Sequence, residues 1–164
     1  MDLSNLNLED IILMALKSEI ESREWYNKLA SKVKNFFLKE RLKFLADEEE
    51  RHRIFFEKLF QEKFPQKTIS LPNKTLVPLP TIIITKENLQ ISKLFTQAME
   101  AEKAAHDFYI LFAEKFPLDS PFRKMLLYIA EMEISHYKLL EIEKENAEKF
   151  EAHEIEWPMM HVGP

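Results

Sequence analysis

The sequence LADEEERH occupies residues 45–52, and the related sequence IAEMEISH occupies residues 129–136, 84 positions later. Each contains a glutamate followed three residues later by a histidine, and neither contains glycine or proline. Residues three apart on a helix share one face, with Cβ atoms about 5–6 Å apart. As helices, both stretches therefore present a carboxylate and an imidazole to the same side.

The surrounding sequence predicts that both stretches lie in long helices. Apolar residues recur at alternating spacings of three and four, as in an amphipathic helix. The single glycine is at position 163, and the prolines lie mainly between positions 65 and 80 or after position 116. The predicted fold class is therefore all-α, with helices over residues 8–33, 36–62, 86–116 and 121–149.

The connections between these helices predict how they are arranged. Only a few residues join the first helix to the second and the third to the fourth, so each pair forms an antiparallel hairpin. Residues 65–85 contain four prolines and are long enough to cross the length of a bundle. Two hairpins joined by one long crossover form a ferritin-like four-helix bundle. We assign residues 1–150 to this bundle and residues 151–164 to a C-terminal tail.

An internal repeat adds two more glutamates to the pattern. Glu19 and Tyr26 recur 83 positions later as Glu102 and Tyr109, so the chain has the pattern of one hairpin duplicated. A lone glutamate on each of two helices, facing Glu-x-x-His on each of the other two, is the ligand set of di-iron and di-manganese carboxylate bundles. The predicted metal ligands are Glu19, Glu49, His52, Glu102, Glu133 and His136.

Electrostatics explains why such a cluster needs metal ions. Burying an unpaired carboxylate is costly, so four of them in one core would raise their pKa values, unfold the chain or require cations. Mixed oxygen and imidazole ligands suit iron or manganese, and zinc is also compatible. The chain has no cysteine, which excludes thiolate-ligated centres. The alternative is that these charges lie on solvated helix faces.

Tyr26 and Tyr109 are the candidate residues behind the ligands. Each lies two turns beyond the glutamate of its helix, where its hydroxyl can bond a ligating carboxylate or the ring can pass an electron. The alternative is an ordinary core tyrosine. Ser22 and Ala105 lie one turn beyond the same glutamates, so they either leave room for dioxygen or peroxide or allow close helix packing.

Composition and charge restrict the partners and the location. The net charge of −5 comes from interspersed signs, without a basic stripe for nucleic acid. No apolar run approaches the roughly 20 residues that cross a bilayer, and the N-terminus lacks a secretory signal. We therefore predict a cytoplasmic protein that binds neither nucleic acid nor membrane. Phenylalanines outside the helix seams predict subunit contacts and a homodimer, namely Phe37, Phe44, Phe55 and Phe60.

The two quoted stretches and the two Glu–Tyr pairs resemble the rubrerythrin family of the ferritin-like superfamily, over about residues 8–150. This resemblance implies a non-haem di-iron centre that is oxidised by hydrogen peroxide or dioxygen, with a protein electron donor. It matches Glu19 and Glu102 to the ligands of helices one and three, Glu49 and Glu133 to bridging or chelating carboxylates, and His52 and His136 to terminal imidazoles.

The chain departs from that family in two places. A typical rubrerythrin carries a cysteine-ligated rubredoxin domain, so here electrons would come from a separate protein such as a rubredoxin. The family also has an extra glutamate ligand at the position of Ala105. The ligand set is equally similar to that of bacterioferritin, although Pro158 argues against the fifth helix expected there.

Three functions are open on these grounds. The first, which we predict, is an oxidoreductase that reduces hydrogen peroxide or dioxygen at two iron ions, with manganese or zinc as other occupants. The second is a protein that binds or sequesters iron and oxidises it incidentally. The third is a structural bundle in which an inert ion neutralises the core.

Overall fold

The computed structural model describes residues 3, 5–75, 77 and 91–156, with side chains through residue 151. Within these residues the chain forms four α-helices and no β-strand, which confirms the all-α prediction. None of these helices is both long enough and apolar enough to span a bilayer. The helices are α1 (Leu8–Ala30), α2 (Phe36–Lys63), α3 (Ile91–Ala113) and α4 (Pro121–Glu156).

Side-chain caps explain where three of the helices begin. The Asn7 side chain accepts a hydrogen bond from the backbone N–H of Asp10 at 2.9 Å, and Asn35 does the same for Leu38 at 3.0 Å. Each cap satisfies a backbone donor that has no partner within the first turn of its helix. The oxygen of Ser120 accepts from the next helix in the same way, immediately before Pro121. These three starts agree with the sequence prediction.

The helix ends differ from the prediction. α1 ends at Ala30 instead of residue 33, and α3 ends at Ala113 instead of residue 116, because the following residues form tight turns. The predicted start of α3 at residue 86 lies outside the described residues. Most of the second half of the predicted crossover also lies outside them.

α4 is longer than the prediction and continues to Glu156. Its extension is tied to the start of α3, because the Glu151 carboxylate accepts hydrogen bonds from the Ser92 hydroxyl at 2.6 Å and the Ser92 N–H at 3.2 Å. The segment predicted as a tail from residue 151 therefore begins as helix. Residues 157–164 lie outside the described part of the chain.

The bundle is built from two hairpins, with α1 packed along α2 and α3 packed along α4. Among the described residues, the apolar core forms two clusters, and each cluster contains residues from all four helices. One cluster includes Ile12, Phe56 and Phe112, whereas the other includes Leu29 and Phe95. Between the two clusters each helix contributes a buried glutamate, so a polar layer crosses the middle of the core; these residues are Glu19, Glu49, Glu102 and Glu133.

The phenylalanines predicted to form subunit contacts do not behave alike. Phe37 and Phe44 are 77% and 52% exposed, so they remain candidates for such contacts. Phe55 is partly buried and packs against the core. Phe60 is fully buried, which makes its prediction as a contact residue wrong. Its place in the core follows from its position one residue after Leu59, since both side chains fit the wide apolar face of α2.

Candidate metal centre

All six predicted ligands meet in the polar layer. Each is contributed by the middle of its helix and is at most 5% exposed. Their carboxylate oxygens and ring nitrogens form two groups of four, and within each group the donor atoms lie within 4.8 Å of one another. The first group contains Glu19, Glu49, His52 and Glu133, and the second contains Glu49, Glu102, Glu133 and His136.

Glu49 and Glu133 belong to both groups, so they stand between the two halves of the cluster. They come from the two Glu-x-x-His pairs, on α2 and α4. Each half is completed by one further carboxylate and one imidazole. The helix spacing explains this arrangement, because a glutamate and a histidine three residues apart project from the same face.

Both imidazoles present Nδ1 to the carboxylates. His52 Nδ1 lies 3.3 Å from Glu19, 3.5 Å from Glu49 and 3.2 Å from Glu133. The two rings are roughly parallel, with their centroids 6.0 Å apart. The second ring also faces three carboxylates: His136 Nδ1 lies 3.4 Å from Glu49, 3.6 Å from Glu102 and 3.5 Å from Glu133.

Several polar atoms in this layer are buried without a hydrogen-bond partner. Among the described residues they include one oxygen of Glu49, one oxygen of Glu133 and Nδ1 of His136. A buried polar atom left unpaired is destabilising, and native proteins usually satisfy such atoms. Oxygen and nitrogen donors that converge without hydrogen bonds are suited to a divalent cation. The donor set therefore fits the pair of metal ions that the sequence predicts.

Burial and neighbouring charges shift the pKa values of the outer carboxylates upward. Burial and then the charge of Glu49 raise the pKa of Glu19 well above its ordinary value. Burial and then the charge of Glu133 do the same for the pKa of Glu102. In the metal-free chain, both outer carboxylates therefore keep their protons to a higher pH than an exposed glutamate does.

The pKa values of the inner carboxylates shift downward, whereas those of the imidazoles shift upward. Burial opposes ionisation of Glu49 and Glu133, but contacts with the two histidines outweigh it and lower both pKa values. The same contacts raise the pKa values of His52 and His136 despite burial. Without metal, the cluster thus balances its charge with protons, which bound cations would displace.

Tyr26 and Tyr109 each bond a glutamate of the opposite hairpin. The hydroxyl of Tyr26 donates to Oε1 of Glu102, and the hydroxyl of Tyr109 donates to Oε1 of Glu19. Oε2 of each glutamate faces a histidine instead. The sequence placed each tyrosine behind the glutamate of its own helix, but it gave no signal for this exchange of partners.

The smaller residues beside the cluster are also buried to different degrees. Ala105 is 8% exposed, whereas Ser22 is half-buried. Sequence reasoning also missed Glu48, which is 5% exposed and forms an ion pair with Arg51 on the surface. Its signal is its spacing of three and four residues from Leu45 and His52, which places it on the edge of the buried face.

Comparisons with known proteins support the assignment of this chain to the ferritin-like four-helix bundles. A family model described as Rubrerythrin matches residues 10–144, which include all six cluster residues. The solved structure of a hypothetical protein from Pyrococcus furiosus is 32% identical to this chain, with a TM-score of 0.82. The alignment covers 91% of this chain and 95% of that one. No curated protein matches the chain.

Proposed function

This chain belongs to the rubrerythrin family, and on that premise we propose that it is a di-iron oxidoreductase that reduces hydrogen peroxide or dioxygen. Manganese in both positions is the alternative metal. The observation that carries the proposal is the pair of buried four-residue groups that share Glu49 and Glu133. Two divalent ions among four carboxylates would balance the charge of the layer.

Each ion would have one carboxylate and one imidazole of its own. Glu19 and His52 would hold the first ion, and Glu102 and His136 would hold the second. Glu49 and Glu133 would bind both ions, because each has donor atoms in both groups. Ala105 supplies no further ligand, so the set would contain six residues.

Bound iron would supply electrons to the oxidant, one from each ion. The chain's own residues would hold the site in shape for this reaction. Tyr26 and Tyr109 occupy one oxygen of each outer carboxylate, which leaves the other oxygen free to bind metal. The apolar clusters on both sides of the layer exclude bulk water, which strengthens electrostatic interactions within it. The small side chain of Ala105 would leave space beside the second group.

The electron donor would be a separate protein such as a rubredoxin. The 164 residues contain no cysteine, so they cannot build the cysteine-ligated iron centre of a rubredoxin domain. We also propose a cytoplasmic homodimer, in which the exposed Phe37 and Phe44 would contribute to the subunit contact. Its mass in solution, compared with that of a Phe37→Ser, Phe44→Ser variant, tests this contact.

The proposed activity can be tested by anaerobic loading with ferrous iron, followed by rapid mixing with peroxide and then with dioxygen. We expect two irons per chain, a fast oxidation by peroxide, and repeated turnover when reduced rubredoxin is supplied. The Glu48→Gln variant is the matched control and should still bind two ions. Glu48 is buried on α2, next to Glu49, but it lies outside both four-residue groups.

Other results would favour the other functions. Uptake of many irons per chain, without repeated peroxide turnover, would indicate iron sequestration. An ion that takes no part in oxidation, and that chelators remove only when the chain unfolds, would indicate a structural role.

A further inference from the structure

The outer surface of α4 carries a second apolar stripe, apart from the residues that face the core. Its members recur at alternating spacings of three and four residues, so they share one side of the helix. They are Met125, Tyr128, Met132, Leu139 and Ile142, with Ser135 at the one polar position. Met125, Tyr128 and Ile142 are 41%, 60% and 54% exposed, so folding of the chain leaves much of the stripe uncovered. Exposed apolar residues grouped in this way are typical of a contact surface.

The packing of one bundle does not account for the exposed members of this stripe. The repeat equates each position of α4 with the position 84 residues earlier in α2. Four of the six equivalent positions of α2 are charged, namely Arg41, Glu48, Arg51 and Lys58. A helix in this place can therefore carry charges there, and the apolar stripe is a property of α4 alone.

Charged residues of alternating sign follow the outer edge of the stripe. They recur every seven residues, or about two helical turns, and they are Lys124, Glu131, Lys138 and Glu145. All four are exposed. Within the described part of the chain, the surface ion pairs of α4 use other residues, since Glu143 pairs with Arg41 and Lys144 with Glu148. The charged row is therefore available to a partner.

We infer that the α4 stripe packs antiparallel against the α4 stripe of a second copy of this chain. Under twofold symmetry, a residue that contacts a second residue across the interface is contacted by it in return. An axis that crosses α4 between Glu133 and Ile134 would bring the two stripes into register. Across the two copies it would oppose Met125 with Ile142, Tyr128 with Leu139, and Met132 with Ser135.

The charged row is complementary to itself in this arrangement. The same axis would bring Lys124 beside Glu145 and Glu131 beside Lys138, and each pair would occur twice. Every charge of the row would thus meet the opposite sign, which is how flanking charges select partner and direction in paired helices. In a parallel arrangement the two rows would lie on opposite sides of the contact and could not pair. The charge pattern therefore favours a second copy of this chain as the occupant.

This inference rests on the proposed homodimer and extends its contact surface. Arg41 Nε lies 2.6 Å from the carboxylate of Glu143, so α2 borders α4 beside Ile142. The exposed Phe44 lies about one turn along α2 from Arg41. Phe44 would therefore continue the contact from α4 onto α2. The metal centre takes no part in this contact.

The test is analytical ultracentrifugation of the full-length protein over a range of concentrations. We expect a dimer for the wild type. Lys138→Glu should raise the dissociation constant of the dimer at least about tenfold, because the new glutamate opposes Glu131 at two places. Glu131→Lys should do the same, because the new lysine opposes Lys138. An equimolar mixture of the two variants should form a dimer about as tight as the wild type, because opposite signs meet again.

Two further variants separate the contact from the stability of the fold. Ile142→Asp should weaken the dimer, because it places a charge in the apolar stripe. Glu141→Lys is the matched control, since Glu141 is exposed on α4 but lies outside the stripe and the row, and it should dimerise like the wild type. Circular dichroism on the same samples verifies that each variant remains helical.

The results distinguish this contact from the rest of the proposed function. A wild type that is monomeric at every concentration would overturn both the α4 contact and the proposed homodimer. A dimer that dissociates in the Phe37→Ser, Phe44→Ser variant but in neither charge variant would overturn the α4 contact alone. A mixture that fails to restore the dimer would overturn the antiparallel pairing. If the charge variants instead weakened binding of added rubredoxin and left the dimer intact, α4 would be the surface for the electron donor and the inference would be wrong.

Discussion

The hydroxyl of Tyr109, on α3, donates a hydrogen bond to the carboxylate of Glu19, on α1. Tyr26 and Glu102 repeat the same bond in the reverse direction, from α1 to α3. Each hairpin thus holds a carboxylate of the other. The two bonds link halves of the chain that are far apart in sequence and limit the orientations that the outer carboxylates can adopt.

The first prediction concerns the stability of these bonds. Tyr109→Phe should lower the free energy of unfolding of the metal-free chain by about 1–3 kcal/mol, because a buried oxygen of Glu19 loses its donor. Tyr26→Phe should have a similar effect. Urea denaturation measures both. Tyr128→Phe is the control, since Tyr128 is 60% exposed and its loss should change little. Equal stability of all three variants would contradict this role for the phenols.

The second prediction concerns metal stoichiometry. Glu49 and Glu133 belong to both four-residue groups, whereas Glu19 belongs to one. Glu49→Gln should therefore abolish uptake of both ions, and Glu19→Gln should leave one ion per chain. Elemental analysis after anaerobic loading and removal of free metal gives the count.

The Glu48→Gln variant should retain two ions, because Glu48 is outside both groups. The assignment of the shared carboxylates would be wrong if Glu49→Gln bound as much metal as Glu48→Gln. Circular dichroism would verify that each variant remains helical.

The third prediction concerns the dependence of stability on pH in the absence of metal. The pKa values of Glu19 and Glu102 are raised in the folded chain, so it binds more protons than the unfolded chain once the pH exceeds their ordinary value of 4.5. The raised pKa values of His52 and His136 extend this effect above pH 6.5. The metal-free chain should therefore lose stability as the pH rises from about 5 to 8.

Thermal unfolding over that pH range, in the presence of a chelator, measures the trend. Added ferrous or manganous ion should weaken or reverse it, because cations replace the bound protons. Calorimetry in buffers of different ionisation enthalpy should detect the protons released. A metal-free chain that became steadily more stable over this range would contradict the shifts assigned to the cluster.

The fourth prediction concerns a group of charges outside the cluster. Glu50 lies between Arg53, at 2.7 Å, and Arg23 of α1, and these contacts lower the pKa of Glu50 to about 2. Its contribution to stability is present above pH 4.5 and is lost as the pH falls toward 2. Because the group is partly exposed, Glu50→Gln should cost only about 0–1 kcal/mol at neutral pH.

Urea denaturation at low and high salt should show that this cost shrinks as salt is added. Glu40→Gln removes the exposed pair of Glu40 with Lys43 and serves as the control, with no measurable cost expected. A large cost for Glu50→Gln that is insensitive to salt would contradict a screened surface interaction.

Helix periodicity explains why the sequence predicted the four helices and the residues that meet between them. Glu49 and His52 are three residues apart within a stretch free of glycine and proline, so their shared direction follows from backbone geometry alone. The repeat then implied the equivalent pair on α4. The Rubrerythrin match and the four helices confirm the fold and the family, and the metal ligation of these residues stays a prediction.

The contacts that the sequence did not predict depend on relations between helices. The spacing of Glu19 and Tyr26 places both on one face of α1, but it does not say how far α3 is shifted along the bundle axis. That shift pairs Tyr26 with Glu102. Similarly, the length of α4 depends on the contact of Glu151 with Ser92 at the start of α3, which no local pattern reveals.

Without metal, the polar layer makes the middle of the bundle less stable to local unfolding than its ends. Apolar clusters lie on both sides of it, so a chain without bound metal would open first where its four helices should be most protected. Proteases would then attack newly made chains that have not received metal, and spare those that have. If the proposed centre is correct, the cellular abundance of this protein would follow the supply of its metal, without any dedicated regulator.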